Sequence, residues 1–597
     1  MKYLSIFNSL RYVFILSILT VHAGTLPGQT VQPFVEAPDP APAIAAEWDK
    51  IAGGLHASVG SIDVRYPKST PPSIARSLAW EGCAWRGERI SAQVVLWSKE
   101  EVEQIECEFS PFRSKDADLP AGIARARFVR YVLTDVFEPG CGHRKPEDFP
   151  LSLSADMLDT LTCFNLQAQS TRPVWLSFDI PHDAKAGIYK GSMTIHARNR
   201  EPYTVSLTLE VVPQTLPKPE HWTFHLDLWQ HPSAVARVHG VKPWSEEHWA
   251  LLEAPMEMLA AAGQKAITAT VNKDPWNHQC YDAYDDMIAW TRQKDGTWEY
   301  NYTVFDRWVE LMMRLGIRKE INCYSMIPWN SELHYYDAGK GRPVNVQAAP
   351  GTKTFEEMWS PFLQDFRNHL KEKGWLEITN IAMDERSPED MQATLDFLHK
   401  TAPEIGVALA DNHKSYRLFP TLKDVCVSFG DVVDESDLAF RKGQGLVSTV
   451  YVCCSHKFPN VFTFSDPAEA AYIGWYASAA GFDGFLRWAY NSWTENPLTD
   501  SRFRTWPAGD TYIIYPGARS SIRFERLREG IQDFEKIRIL REHYLLSPSN
   551  DAATKLAELN ETLAKFNRTD IPETPCGEML QRAKHSLNKR ESLMRNN

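Results

Sequence analysis

Ile378-Thr379-Asn380-Ile381-Ala382-Met383-Asp384-Glu385-Arg386-Ser387-Pro388-Glu389-Asp390 holds a complete strand-to-helix junction. Ile378–Asp384 is a short apolar-rich run, which reads as a buried strand. Ser-Pro-Glu-Asp then has the chemistry of a helix start. The serine hydroxyl caps free backbone N–H groups, and proline sits at the first helical position, where its missing N–H costs nothing. Between the two lies an acidic pair. Acidic residues also favour helix N-termini on their own account, because the helix dipole is positive there. The separate cap at Ser387 weakens that bland reading, since the helix does not need both.

The same junction recurs on either side. Strand candidates are Trp222–Leu228, Ala266–Asn272, Glu320–Ser325, Ile378–Asp384, Gly406–Asn412, Val425–Asp431, Val447–Cys454 and Phe485–Tyr490. Helical stretches separate most of them. Thr354-Phe355-Glu356-Glu357 and Asp466-Pro467-Ala468-Glu469 read as capping boxes, and Gly263, Gly316, Gly374 and Gly481 as helix stops. Trp249, Leu252, Met256 and Leu259 recur at helical spacing and mark the buried face of the first helix. Eight strand–helix units over roughly 320 residues predict a (β/α)8 (TIM) barrel rather than a doubly wound open sheet.

Upstream the texture is different. Ile90–Trp97, Val174–Ile180 and Tyr203–Val211 are apolar or alternating runs without helices between them, and Pro181–Lys190 makes a turn. Short strands of this kind predict a β-sandwich. The expected organisation is therefore multidomain α/β. It comprises a signal peptide (1–23), an N-terminal linker or extension (24–77) containing PDPAPA, and a β-sandwich (78–215). The catalytic barrel (216–545) and a C-terminal helical extension (546–597) follow. Lys2 and Arg11 flank the apolar run Val13–Val21, and Val21-His22-Ala23 offers a cleavage site, so the chain is expected to be exported, either periplasmic or secreted. That run is about half of the ~20 residues a membrane span requires, and no span is expected in the mature chain.

The net charge of −12 is spread along the sequence, which disfavours nucleic acid as a partner. Aromatics make up 12% of the chain, and flat side chains of this kind suit the apolar faces of sugar rings as well as a large core. The ten cysteines lack metal-type spacing. One or two disulfides with the remainder as buried thiols are expected, and their pairing is left open.

Barrel enzymes carry their reactive groups at the C-terminal ends of the strands. Those positions hold His225, Asp227 and Trp229, then Asn272, Tyr324, Asp384-Glu385, Asp411-Asn412-His413, Asp431, Ser455-His456, and finally Trp488, Tyr490 and Trp493. No metal constellation, nucleophile elbow or phosphate loop is present, so no metal or cofactor is expected. Glycoside hydrolysis, which needs an acid and a means of stabilising an oxocarbenium-like centre, is the reaction class that remains.

In the usual retaining arrangement a second carboxylate faces the first at ~5 Å. Strand seven ends Tyr451-Val452-Cys453-Cys454-Ser455-His456 and offers none. An adjacent Asp-Glu pair suits a sugar whose own 2-acetamido oxygen attacks the anomeric carbon. Asp384 would then orient the amide and Glu385 act as general acid and base, and their proximity would raise the proton affinity of one of them.

At these residues the sequence resembles glycoside hydrolase family 123, the retaining β-N-acetylgalactosaminidases. The resemblance spans roughly Trp80 to Leu540. It is carried by Trp85-Arg86-Gly87-Glu88-Arg89, by Leu226-Asp227-Leu228-Trp229-Gln230, and by the run from Gly484 to Ile539. That run contains Arg487-Trp488-Ala489-Tyr490, Trp506-Pro507-Ala508-Gly509-Asp510 and Arg523-Phe524-Glu525-Arg526-Leu527-Arg528-Glu529-Gly530. The resemblance implies a sandwich, a barrel and substrate-assisted catalysis by the pair that here is Asp384-Glu385. It also implies a glycan with terminal or internal β-linked N-acetylgalactosamine as substrate, as in glycosphingolipids.

Trp229, Trp488 and Trp493 are candidates to wall the sugar. Asn272, Tyr324, Asn412, His456 and Tyr490 are candidates to bond its hydroxyls or acetamido group. Asp227, Asp411 and Asp510 read equally well as salt-bridged scaffold. Two rivals compete: a two-carboxylate glycosidase using Asp384 and Asp431, and a non-catalytic glycan-binding protein on a barrel scaffold. Aglycone, endo or exo action and oligomeric state are left open.

Overall fold

The structure, a computed structural model, describes residues 35–138, 141–142, 145–431 and 433–591. The expected export signal lies outside them. Eight short parallel strands form one sheet: β1 (His225–Leu228), β2 (Ala266–Thr270), β3 (Glu320–Tyr324), β4 (Thr379–Asp384), β5 (Gly406–Asp411), β6 (Asp424–Ser428), β7 (Val447–Tyr451) and β8 (Gly484–Arg487). Their order is β1-β8-β7-β6-β5-β4-β3-β2. The two ends meet through a parallel bridge, Leu226 to Gln264, and Lys265 N–H donates to Leu226 O at 2.9 Å. That contact closes the barrel.

Helices Glu246–Ala260, Thr303–Arg314, Lys353–Lys373, Pro388–Thr401, Glu435–Gly443, Pro467–Ala480 and Ile522–Leu546 follow β1, β2, β3, β4, β6, β7 and β8. Between β5 and β6 the described residues hold no helix. Ser387 Oγ accepts from Asp390 N–H at 3.1 Å, and Asp466 and Glu469 form the reciprocal capping box. The box expected at Thr354 is displaced: Thr352 Oγ1 caps the helix by accepting from Phe355 N–H, and Thr354 already lies inside the first turn. Trp249, Leu252, Met256 and Leu259 are all buried.

The N-terminal domain is two packed sheets. His56–Gly60, Arg89–Ser98, Ser170–Asp179, Ala124–Thr134 and Ser152–Leu158 form one. The other is built on Ala79–Arg86, Tyr203–Thr215, Gly187–His196, Val102–Phe109 and Cys163–Leu166. Their inner faces share a core that includes Val94, Leu96, Phe128, Val174, Phe178, Met193 and Leu207. The edge strand His56–Gly60 falls inside the segment expected to be a linker, so the sandwich begins before Leu78. Five residues, HASVG, are too few to display an alternating pattern.

The two domains are fastened by buried charge. Asp156, on the sandwich, accepts from Arg65 at 3.1 Å, from Arg523 at 2.9 Å and from the Tyr515 hydroxyl at 2.7 Å. Glu88 pairs with Lys536, and Gln532 exchanges two 2.8 Å hydrogen bonds with the backbone of Arg89. Helix Ile522–Leu546 thus serves as both the last barrel helix and the domain clamp. It crosses Pro467–Ala480 at Gly474 and Gly530, where a Cβ on Gly474 would lie 2.1 Å from the Gly530 carbonyl oxygen. Helices Asn550–Ala564 and Cys576–Glu591 come last in the chain; in the turn between them Phe566 stacks on Trp475 at 4.8 Å. No described helix is long and apolar enough to cross a membrane.

Candidate active site

Small residues in the upper barrel, Ala382, Ala408 and Ala410, leave space that bulky side chains would fill. Above them lies a cavity of about 370 Å³ lined by residues of most strand ends. Asp384 and Glu385 both reach it. Consecutive residues of an extended strand point to opposite sides. Here the chain leaves β4 with Glu385 in the left-handed region, φ +47°, while its N–H still donates to Ala410 O on β5 at 2.8 Å. This conformation costs a non-glycine residue ~1–3 kcal/mol, and the hydrogen bond to Ala410 O helps to hold it. It is the local feature that brings two neighbouring carboxyls onto one wall.

Each carboxyl has its own partners. Asp384 Oδ2 accepts from the Trp276 indole N–H at 3.1 Å. Burial, and then the neighbouring charge of Glu385, push the Asp384 carboxyl up to about 8, with Arg386 and the indoles of Trp276 and Trp329 opposing the rise. Glu385 Oε1 accepts from the Tyr451 hydroxyl at 3.0 Å. Burial and the charge of Glu385 raise the Tyr451 phenol well above its ordinary range, so it remains a donor.

The floor is aromatic. Trp229 stacks on Trp276 at 4.9 Å, and Tyr324 packs 4.7 Å and 5.0 Å from the two rings. The Trp229 indole N–H is buried without a hydrogen-bond partner on the wall of the cavity, where it can serve a ligand oxygen. Trp488 and Trp506 stand edge to face, 5.7 Å apart, on another side. The sandwich domain reaches in too: Cys141, in the loop beyond strand Ala124–Thr134, is disulfide-bonded to Cys454 after β7, and both line the cavity.

Of the sequence candidates, Asp384, Glu385, Trp229, Asn412 and Trp488 line this space. Tyr324 lies beneath it. Four others are engaged in architecture. Asn272 is bonded at both ends to the backbone of His334, fastening strand Glu332–Asp337 of a small extra sheet formed by the loops after β2 and β3. His456 is held between Phe429 O at 2.9 Å and Cys453 N–H at 3.1 Å. Tyr490 donates to Pro255 O at 2.8 Å, and the Trp493 indole to Ile514 O at 2.8 Å, both fully buried. Strand-end position placed these four correctly along the chain but could not tell an inward side chain from one turned into the packing.

The other acidic candidates resolve as well. Asp431 is not on the cavity wall, where β6 contributes Ser428 instead. Asp510 does line the cavity, but its carboxylate is paired with fully buried Arg487 at 2.8 Å. Asp411 accepts from His413 N–H and Ser415 Oγ, both at 2.9 Å, and shapes its own loop. Asp227 is sunk deeper in the barrel, near Asn322, where burial raises it to about 7. Trp276, Gln279 and Trp329 are not among the sequence candidates and Trp506 stands only within a family motif; all four come from loops well beyond strand ends. Tyr451 enters the sequence reading only for what it is not.

The model for the "Glycoside hydrolase 123, catalytic domain" matches residues 229–540, and that for the "Glycoside hydrolase 123 N-terminal domain" matches 59–197. Among solved structures, a family 123 glycoside hydrolase from Clostridium perfringens, described for glycolipid glycan hydrolysis, superposes with a TM-score of 0.80 at 26% identity. The match covers 90% of this chain and 98% of that one. A Bacteroides ovatus GH5 xyloglucanase in complex with a XXXG heptasaccharide matches at 10% identity over 80% of this chain and 100% of its own, with a TM-score of 0.27, too low to carry an argument. No curated protein sequence matches. Since the catalytic-domain match alone spans more than half of the sequence, and the fold of its family member is shared from sandwich to barrel, the chain belongs to glycoside hydrolase family 123.

Proposed function

We propose that the enzyme releases β-linked N-acetylgalactosamine with retention of configuration, using the substrate's acetamido oxygen as the nucleophile. The observation that carries this reading is the wall itself. Among the described residues, Asp384 and Glu385 are the carboxyls on it without a guanidinium partner, they are adjacent, and β7 opposite supplies a tyrosine.

The chemistry divides between the two. The acetamido oxygen attacks the anomeric carbon as the glycosidic C–O bond breaks, and Glu385 donates a proton to the departing oxygen. Attack makes the amide N–H acidic, and Asp384 accepts its hydrogen bond, with Trp276 holding the carboxylate in place. Water, deprotonated by Glu385, then opens the oxazolinium ring from the face the leaving group vacated, so the product keeps its configuration.

Two interacting carboxyls titrate as a pair. In the empty cavity the raised proton affinity belongs to Asp384. An amide N–H bound there favours the carboxylate form of Asp384 and transfers the shared proton to Glu385, where it is needed. The productive state therefore holds one proton, and kcat/KM should fall as pH rises through about 8. The Cys141–Cys454 disulfide suits an oxidising compartment and agrees with action outside the cytoplasm.

Hydrolysis of matched aryl β-glycosides tests the reading. β-GalNAc should turn over, β-GlcNAc more slowly, and plain β-Gal, which has no amide, barely at all. A thiazoline analogue of the bicyclic intermediate should inhibit far more tightly than substrate binds. Comparable rates on β-Gal and β-GalNAc would remove the neighbouring-group argument.

A further inference from the structure

At the end of the barrel opposite the catalytic pair, three strands begin with polar side chains that meet. His225 opens β1, Glu320 opens β3 and Asp424 opens β6, and all three are buried. One ring nitrogen and two carboxylate oxygens from this set lie within 4.8 Å of one another. The three residues stand about a hundred positions apart in the chain, so no spacing motif announces them.

The hydrogen bonding around them is incomplete. Asn380 Nδ2 donates to Glu320 at 3.2 Å, and Asp227 nearby is held by Gln264 and Asn322, both at 3.4 Å. Asp424 Oδ1, in contrast, is buried without a donor. His225 Nε2 lies 3.3 Å from Asp424 Oδ2 and still makes no hydrogen bond with it. Lys319 Nζ approaches the other ring nitrogen, Nδ1, at 3.3 Å. With the ammonium donating there, the imidazole proton sits on Nε2 and finds no acceptor, a costly state for a buried donor.

A divalent cation resolves these defects together. It takes the Nε2 lone pair, with the ring proton on Nδ1, and it neutralises the two carboxylates. Ligands on a tetrahedral Zn2+ with bonds of ~2.1 Å stand ~3.4 Å apart, close to the 3.3 Å between His225 and Asp424. Small side-chain rotations bring Glu320 into the same sphere, with Asn380 steadying it from behind. One imidazole with two carboxylates suits Zn2+ better than Ca2+ or Mg2+, which favour all-oxygen shells. Lys319 is exposed, and its ammonium turns to solvent as the cation enters.

We propose that His225, Glu320 and Asp424 form a structural Zn2+ site that staples β1, β3 and β6 across the floor of the barrel. The N-terminal ends of barrel strands serve stability rather than catalysis, and β1 is a strand at which this barrel closes, through the bridge from Leu226 to Gln264.

The test uses the full chain without a histidine tag, stripped with EDTA and returned to chelator-free buffer. Calorimetric titration should show one Zn2+ bound per chain, and free Zn2+ at a hundred times Kd should raise Tm by ~2–3 °C. Stripped and loaded enzyme should turn over an aryl glycoside substrate at rates within about twofold. D424N should lose the binding. K319Q, which removes a competing ammonium from an exposed side chain, should bind Zn2+ several-fold more tightly, and it decides the matter if D424N does not fold. C453S should bind as the wild type does, which separates the floor from the cavity thiol beside His456. No Zn2+ bound by the wild type, undiminished binding in D424N, or an unchanged Kd in K319Q overturns the site. Zinc that abolishes turnover and is lost in E385Q overturns it too, because that ion sits on the catalytic pair.

Discussion

Replacing Asp384 by asparagine should abolish turnover and yet stabilise the protein, by an amount that grows with pH. An aspartyl carboxyl ordinarily ionises near pH 3.9 in an unfolded chain, whereas in the folded cavity burial and Glu385 hold it protonated up to about pH 8. Between those values the folded state binds a proton that the unfolded state has released, so folding stability falls as pH rises and the loss is complete above the higher value. At pH 7 the interval spans about three pH units, or roughly 4 kcal/mol at 1.36 kcal/mol each. The side chain opens onto the cavity rather than sitting in sealed core, and solvent screening brings the figure down to ~2 kcal/mol. Asparagine keeps an oxygen for the Trp276 N–H but never has to bury a charge. Unfolding entropy scales with length, and for a chain of this size ~1 kcal/mol moves Tm by about 1 °C. D384N should therefore melt ~2 °C above wild type at pH 7, under ~1 °C above at pH 5, and furthest above at pH 8. Differential scanning fluorimetry across that range measures it. A gain that does not change with pH, or a loss at every pH, would refute the placement of a desolvated, like-charge-coupled carboxyl at this position.

E385Q should lower kcat on an oligosaccharide by about 10²-fold or more, and by much less on a nitrophenyl glycoside, whose leaving group departs without a proton. Equal losses on both would take the general-acid role away from Glu385. D156A strands Arg65, Arg523 and Tyr515 in the domain interface and should cost ~3–5 kcal/mol, read as a lower urea midpoint. An unchanged midpoint would mean that the interface does not depend on this hub. Y490F removes one buried bond, to Pro255 O, and should cost ~1 kcal/mol of stability while leaving kcat/KM on β-GalNAc substrates within about twofold. A large kinetic loss would return Tyr490 to the substrate-binding set.

What could be read from sequence here follows a physical division. The barrel was legible because each strand–helix unit states its own boundaries: the apolar run ends where a capping serine or aspartate begins, and Ser387 and Asp466 do in the structure what their chemistry implies. The acidic pair was legible because strand ends are where a barrel exposes polar groups. Edge strand His56–Gly60 was not, being too short for a period. The binding wall was legible only in part. Trp276, Trp329 and Trp506 arrive from long loops whose course depends on tertiary contacts, such as the Trp506 indole donating to Gln279 O at 3.2 Å.

The motifs that made the resemblance recognisable do a different job from the one their length suggests. Glu88 and Arg89 meet Lys536, Glu525 and Gln532, and Arg523 meets Asp156. These are buried charges that cannot be lost singly, because each removal leaves a partner unpaired in a medium that will not solvate it. They hold the sandwich against the barrel, and that is what lets Cys141 of one domain and Glu385 of the other line one cavity. Motif length therefore measures the cost of keeping two domains in register around a site whose reacting groups are only two residues long.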